Sequence, residues 1–141
     1  MIIVIRISGL VEVPEKVQET LFRMRLRRKY CAVILPDSEE SDKLLKKVRN
    51  FVAFGKLNKE TLIELLTKRA KSIGNKKIDA KSLADSIEKA KSINLSPFGI
   101  KPFFRLHPPR KGIETKTHFP IGKGVLGDNK EKINDLVRRM L

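Results

Sequence analysis

Leu21-Phe-Arg-Met-Arg-Leu-Arg-Arg-Lys-Tyr30 runs straight into Cys31-Ala-Val-Ile-Leu35, joining a decapeptide that is half cationic to a wholly apolar run. The cations are Arg23, Arg25, Arg27, Arg28 and Lys29. Just upstream, Val17, Leu21 and Met24 recur at helical spacing, so one face of a helix can bury while the arginines stay in water. Cys31–Leu35 is apolar throughout and stops at Pro36, the pattern of a buried strand. The basic cluster therefore falls where a helix hands over to a strand. Cations near a helix C-terminus are favoured by about 0.3–1 kcal/mol each, which accounts for one or two of the five. The others repel unless an anion meets them, and planar guanidinium forks suit phosphate oxygens. The sequence predicts a phosphate-facing corner.

On the N-terminal side, Ile2–Ile7 is β-branched and nearly continuous, an interior strand stopped by Ser8-Gly9. Pro14 suits a first helical turn, with Glu15 and Glu19 near the positive end, and the helix is expected to reach about Leu26. After Pro36, Asp37 or Ser38 caps a second helix. Its start is acidic (Glu39, Glu40, Asp42), its end basic (Lys46, Lys47, Arg49), and Leu44, Leu45 and Val48 face inward. Phe51–Phe54 reads as a third strand closed by Gly55. The result is an α+β chain built on a compact two-layer β-α-β-α-β core domain at 1–57, a three-stranded sheet under two helices.

Residues 58–96 form an appended helical segment. Asn58 caps a helix with Leu62, Leu65, Leu66, Ala70 and Ile73 inward, ending at Gly74-Asn75. Asp79 opens another with Leu83, Ile87 and Ala90 inward, ending near Asn94. Residues 97–141 are an extended basic arm and a C-terminal helix. Most prolines and glycines of the chain lie between 97 and 127, with Phe98, Phe103, Phe104 and Phe119 interleaved. One short strand is expected at Phe103–Leu106, with Phe103 and Leu106 as anchors, and Arg110–Gly124 is expected to be mobile until a partner orders it. Asp128 and Glu131 form a variant capping box for the last helix, whose inner face is Ile133, Leu136, Val137 and Met140.

The chain has 141 residues, a net charge of +15 and 40% apolar residues. That is enough apolar mass for a core, and each third of the chain is net positive, so the partner is polyanionic. Cys31 is the single cysteine, which excludes an intrachain disulfide and reads as an inert buried thiol. Met1 leads into IIVIRIS, too short and wrongly flanked for a signal peptide. No run approaches a membrane span, so a soluble, cytoplasmic protein is expected.

Gly122-Lys-Gly-Val-Leu-Gly127 has the spelling G-x-G-x-x-G. It lacks a preceding strand and a following βαβ unit, so a flexible glycine loop is expected rather than a dinucleotide site. In Arg105-Leu-His107-Pro-Pro-Arg110-Lys111 the prolines fix an extended backbone that displays the basic residues. His107 and His118 have no ligand partners at metal spacing, and no serine or cysteine has a base beside it. No enzyme, cofactor or metal is expected. The candidate contacts to the polyanion are Arg23, Arg25, Arg27, Arg28 and Lys29, then Lys46, Lys47 and Arg49, then Arg105, His107, Arg110, Lys111, Lys116 and Lys123.

The chain resembles the archaeal form of the large-subunit ribosomal protein L-thirty family, relative of eukaryotic L-seven. Thr20, Leu21, Leu26, Arg28 and Val33 match the first half of the family signature, and Leu44, Leu45, Val48, Phe51 and Val52 the second. Met24 and Cys31 depart from it without altering charge. Asn50–Gly55 and LSPFGIKPFFRLHPPRKG (95–112) are also similar, and the resemblance covers 1–141. It implies a ferredoxin-like three-stranded sheet with two helices on one face and the first strand central. It also implies antiparallel pairing, whereas helix crossovers read from the residues alone favour parallel strands. The implied role is a structural constituent of the large ribosomal subunit. Its partners would be ribosomal RNA and neighbouring proteins, with no membrane and no homo-oligomer. The rival reading is a free nucleic-acid-binding regulator or chromatin protein; an enzyme using the Gly122–Gly127 loop is a third.

Overall fold

A computed structural model describes residues 1–9, 13–74, 77, 79–89, 99–112, 115–118 and 124–141, with the backbone alone at 115–118 and 125. The central strand is β1, Ile2–Arg6, buried at every position. Such a run needs cover on both faces of its sheet. The chain continues through α1 (Glu15–Arg23), β2 (Cys31–Leu35), α2 (Glu39–Val48), β3 (Val52–Lys56), α3 (Lys59–Arg69) and α4 (Ala80–Lys89). Then come β4 (Phe104–Arg105), β5 (Thr115–His118), β6 (Gly124–Asp128) and α5 (Ile133–Met140), the last entered through a 3-10 turn at Lys130–Lys132. The six strands lie in the order β4-β2-β1-β3-β6-β5.

β1 sits between β2 and β3 and is antiparallel to both, with Val4 opposite Val33 on one side and Phe54 on the other. The reason lies in the link after α1. Tyr30 N–H donates to the Arg6 carbonyl at 2.7 Å, so β2 starts beside the end of β1 rather than at its far end. The α1 connection therefore returns to the same end of the sheet and makes no crossover, whereas β2 and β3, both antiparallel to β1, run parallel to each other with α2 as their crossover.

Alternation along the strands separates two cores. Ile2, Val4, Val33 and Val52 face α1 and α2, against Leu21, Leu26, Leu45 and Val48. Ile3, Ile5, Ile34 and Ala53 face the other way, against Leu62, Leu65, Leu66, Ile133, Val137 and Met140. Helices thus lie on both faces, and a third layer covers the side that the two-layer expectation left open. Ser38 is the cap of α2, its Oγ accepting from Ser41 N–H at 3.3 Å. Asn58 caps α3 through Thr61 N–H at 2.8 Å. α3 stops at Arg69, earlier than expected, and Ile73 is exposed rather than core.

Gly55 does not close the third strand but lies inside β3. A Cβ there would run into the Lys130 carbonyl oxygen and stand 2.8 Å from Ile133 Cβ, so the glycine admits the entry to α5. Asn134 fastens that helix. Its Oδ1 accepts from Asn58 N–H at 3.1 Å, and its Nδ2 donates to the Lys56 and Glu131 carbonyls. Asp128 Oδ1 accepts from Lys130 N–H, so it serves the 3-10 turn.

The region read as an irregular arm supplies three strands. The C-terminal part of the supposed glycine loop is β6, parallel to β3 with Gly127 opposite Ala53. Gly122 and Lys123 lie outside the described residues. Of the expected anchors, Leu106 is buried, but its partner is Phe104, fully buried, rather than the half-buried Phe103. Phe104 and Leu106 share one face, while Phe103 turns to the opposite core. Arg110 N–H donates to the Arg139 carbonyl at 3.0 Å and His107 N–H to the Met140 carbonyl at 2.8 Å, so this stretch docks on the end of α5.

Candidate nucleic-acid interface

The corner is shaped by the way α1 stops. Arg25 N–H donates to the Phe22 carbonyl at 3.0 Å and Leu26 N–H to the Leu21 carbonyl at 2.9 Å. This pair of bonds is a Schellman motif, with Leu21 and Leu26 both buried in the same core. The motif requires a left-handed residue, usually glycine, and here it is Arg25 at φ 65°. Tyr30, at the other end of the connection, also has φ 65°. The helix therefore ends before most of the cluster, and Arg25, Arg27 and Arg28 sit on a tight link instead of on α1.

A buried arginine holds that link. Arg6 is 1% exposed and points to the α1 side of the sheet. Its Nη1 donates to the Leu26 carbonyl at 2.7 Å, Nε to Ser8 at 2.9 Å and Nη2 to Gly9 at 3.2 Å. Burial lowers its pKa from the ordinary value, with the neighbouring Cys31 acting weakly the other way. Three carbonyl acceptors offset the desolvation of the cation.

Pairing of β2 with β4 places Arg105 opposite Cys31. Phe103, two residues earlier, shares that face and packs on the α1–α2 core. Between this edge and the 24–30 link lies a cavity of about 240 Å³ lined by Arg25, Arg27, Arg28, Cys31, Phe103 and Arg105. No carboxylate lines it. Among the described residues, none of its four arginines has an ion pair. Two cations of the link sit over rings, Arg27 6.0 Å from the Phe22 centroid and Lys29 5.0 Å from that of Tyr30.

The other expected contacts scatter. Arg23 is on α1, paired with Glu19 at 2.7 Å and largely exposed, an interaction of about 0–1 kcal/mol in water. Lys46 and Arg49 line a separate cleft with Asp42 and Asp128, and Lys47 is exposed elsewhere on α2. His107, Arg110 and Lys111 are exposed where the chain meets α5. Lys116 is placed by its backbone in β5, and Lys123 lies outside the described residues. Sequence reasoning missed Arg6, and it named Phe103 as an anchor of the arm without placing it beside the arginine cluster. A lone arginine inside an apolar strand was the available signal for Arg6; nothing local pointed to the place of Phe103 beside the link.

Among the described residues no cluster could hold a metal ion, and no helix is long and apolar enough to cross a membrane. The family model for ribosomal protein L30p/L7e matches residues 2–52, from β1 to the start of β3. Along nearly its whole length the chain is similar to curated archaeal proteins named large ribosomal subunit protein uL30. That of Methanococcus vannielii is 36% identical over 151 residues, 98% of this chain and 97% of the relative. That of Archaeoglobus fulgidus is 37% identical over 153 residues, 99% of each. Nanoarchaeum equitans has another at 36% identity, covering 98% and 97%. With the matched segment forming the β1–α1–β2–α2 part of the fold and the alignments running from end to end, the chain belongs to the uL30 (L30p/L7e) ribosomal protein family.

Proposed function

We propose that the chain is a structural constituent of the large ribosomal subunit that binds ribosomal RNA and performs no chemistry. The observation that carries the reading is the cavity edge of four arginines with no carboxylate among them. Cations left unpaired by their own protein are complementary to phosphates, and the hydrogen-bonded link, with β4 for Arg105, holds these before the partner arrives. The names of the relatives supply the assembly, and the net charge of +15 suits RNA neutralisation. Arg110, Lys111 and His107 extend the contact surface toward the end of α5; neighbouring ribosomal proteins complete its surroundings.

Sedimentation tests this directly. The tagged chain, expressed in an archaeal host, is expected to travel with large subunits through a sucrose gradient at physiological salt. Recovery only in the free fraction, or equal affinity for duplex DNA, would support a free nucleic-acid-binding regulator instead. Replacing Arg25, Arg27 and Arg28 together by Gln should weaken RNA binding and flatten its log–log salt dependence. The slope is expected to change by about 0.7–0.9 for each phosphate that the variant no longer neutralises.

A further inference from the structure

We infer that the cavity between the 24–30 link and β4 is a nucleotide pocket, taking one unstacked RNA base on Phe103 while its arginines hold the adjoining phosphates. The inference rests on the RNA-binding reading and narrows it, from a backbone-neutralising surface to a site for a bulged or looped nucleotide.

Three features favour a base over a phosphodiester passing along the surface. The first is shape. At about 240 Å³ the cavity lies just below the ~300–1,000 Å³ range of drug-sized sites, a scale suited to a single planar ring. It is also more enclosed than the clefts beside α2 and α5. The second is the division of its lining. Cys31 of β2 and Phe103, just before β4, are its apolar lining, while Arg25, Arg27, Arg28 and Arg105 of β4 supply the cations. Phosphate alone gains nothing from an aromatic surface. An extruded base does, because aromatic faces and guanidinium planes are the surfaces on which unstacked bases stack. Phe103 is packed from behind by the α1–α2 core, so the ring is fixed while part of it stays open.

The third feature is rigidity. The link is pinned by the Schellman bonds at Phe22 and Leu21 and by Arg6 on the Leu26 carbonyl. Arg27 and Lys29 are further steadied over Phe22 and Tyr30. A preformed pocket loses little conformational entropy when a base enters. Stacking tolerates any base, so the recognised feature is the unstacked state and not a particular sequence.

The test compares two RNA hairpins with the same stem, one carrying a single bulged 2-aminopurine nucleotide and one fully paired. The wild-type protein is expected to bind the bulged hairpin about tenfold more tightly, the scale of one stacking interaction, and to change its fluorescence. Phe103→Leu, its fold verified by circular dichroism and thermal unfolding, should abolish that preference. Phe103→Tyr, which keeps the ring, should retain the preference. Equal binding of both hairpins by the wild type, or a preference that survives Phe103→Leu, overturns the pocket and leaves the broader RNA reading standing. Binding of neither hairpin at low salt overturns both.

Discussion

Arg25 occupies a backbone position that favours glycine, at a cost of about 1–2 kcal/mol for a left-handed L-residue. Glycine there would relieve the strain but add about 0.4–1 kcal/mol of unfolded-chain freedom. Arg25→Gly is therefore expected to stabilise the fold by about 0.5–1 kcal/mol, read as a higher urea midpoint. The same variant should bind RNA more weakly, because it removes a guanidinium from the cavity. A lower midpoint would show that the side chain supports the link. Arg6 behaves in the opposite way. It is almost wholly out of solvent, yet Arg6→Met would strand the Ser8, Gly9 and Leu26 carbonyls and cost about 1–3 kcal/mol in denaturant unfolding. RNA affinity should fall with it, since the link would be without its internal support.

Elements whose apolar positions follow one clear period were legible in the sequence. β2 has the expected bounds, and α2 and α5 bury the expected face. Leu45 lies 2% exposed between α2 and the sheet, so Leu45→Ala should cost about 2–5 kcal/mol on chemical unfolding. β5 and β6 were not legible because their positions depend on partners far along the chain. β6 has glycines where strands usually carry bulk, and it is held by its placement between β3 and β5. Gly55 was opaque for the same reason, since the helix that needs its missing side chain starts 78 residues later at Ile133. α3 and α4 are joined by Lys59, which pairs with Asp85 and Glu88. The hydrogen bond and charge of Lys59 hold the Asp85 carboxyl below its ordinary value of 3.8. A depressed folded-state pKa means that this tie is present above pH 3.8 and lost as pH falls through the folded value. A carboxyl NMR titration should give Asp85 a midpoint below 3.8, and Lys59→Met should move it upward.

Across the whole molecule, the four arginines of the candidate site could be read from sequence, but not that they meet. Arg25, Arg27 and Arg28 are close enough in the chain to stand out as a cluster. Arg105 and Phe103 join them only through the pairing of Cys31 with Arg105, a contact that no local pattern announces. That pairing spans two rungs at the sheet's edge, with one further bond from Leu106 N–H to the Tyr30 carbonyl at 2.9 Å. A strand so short can open locally, and opening it dismantles the pocket; it must also draw Phe104 and Leu106 out of the core, so the closed form predominates. The free protein should therefore alternate between a latched form and an unlatched one, and only the latched fraction counts toward apparent affinity. The Leu106 amide should exchange with solvent faster than that of Val4 in the free protein, and slow down once RNA is bound. The nucleic acid would then act as the fastener of the protein's own edge.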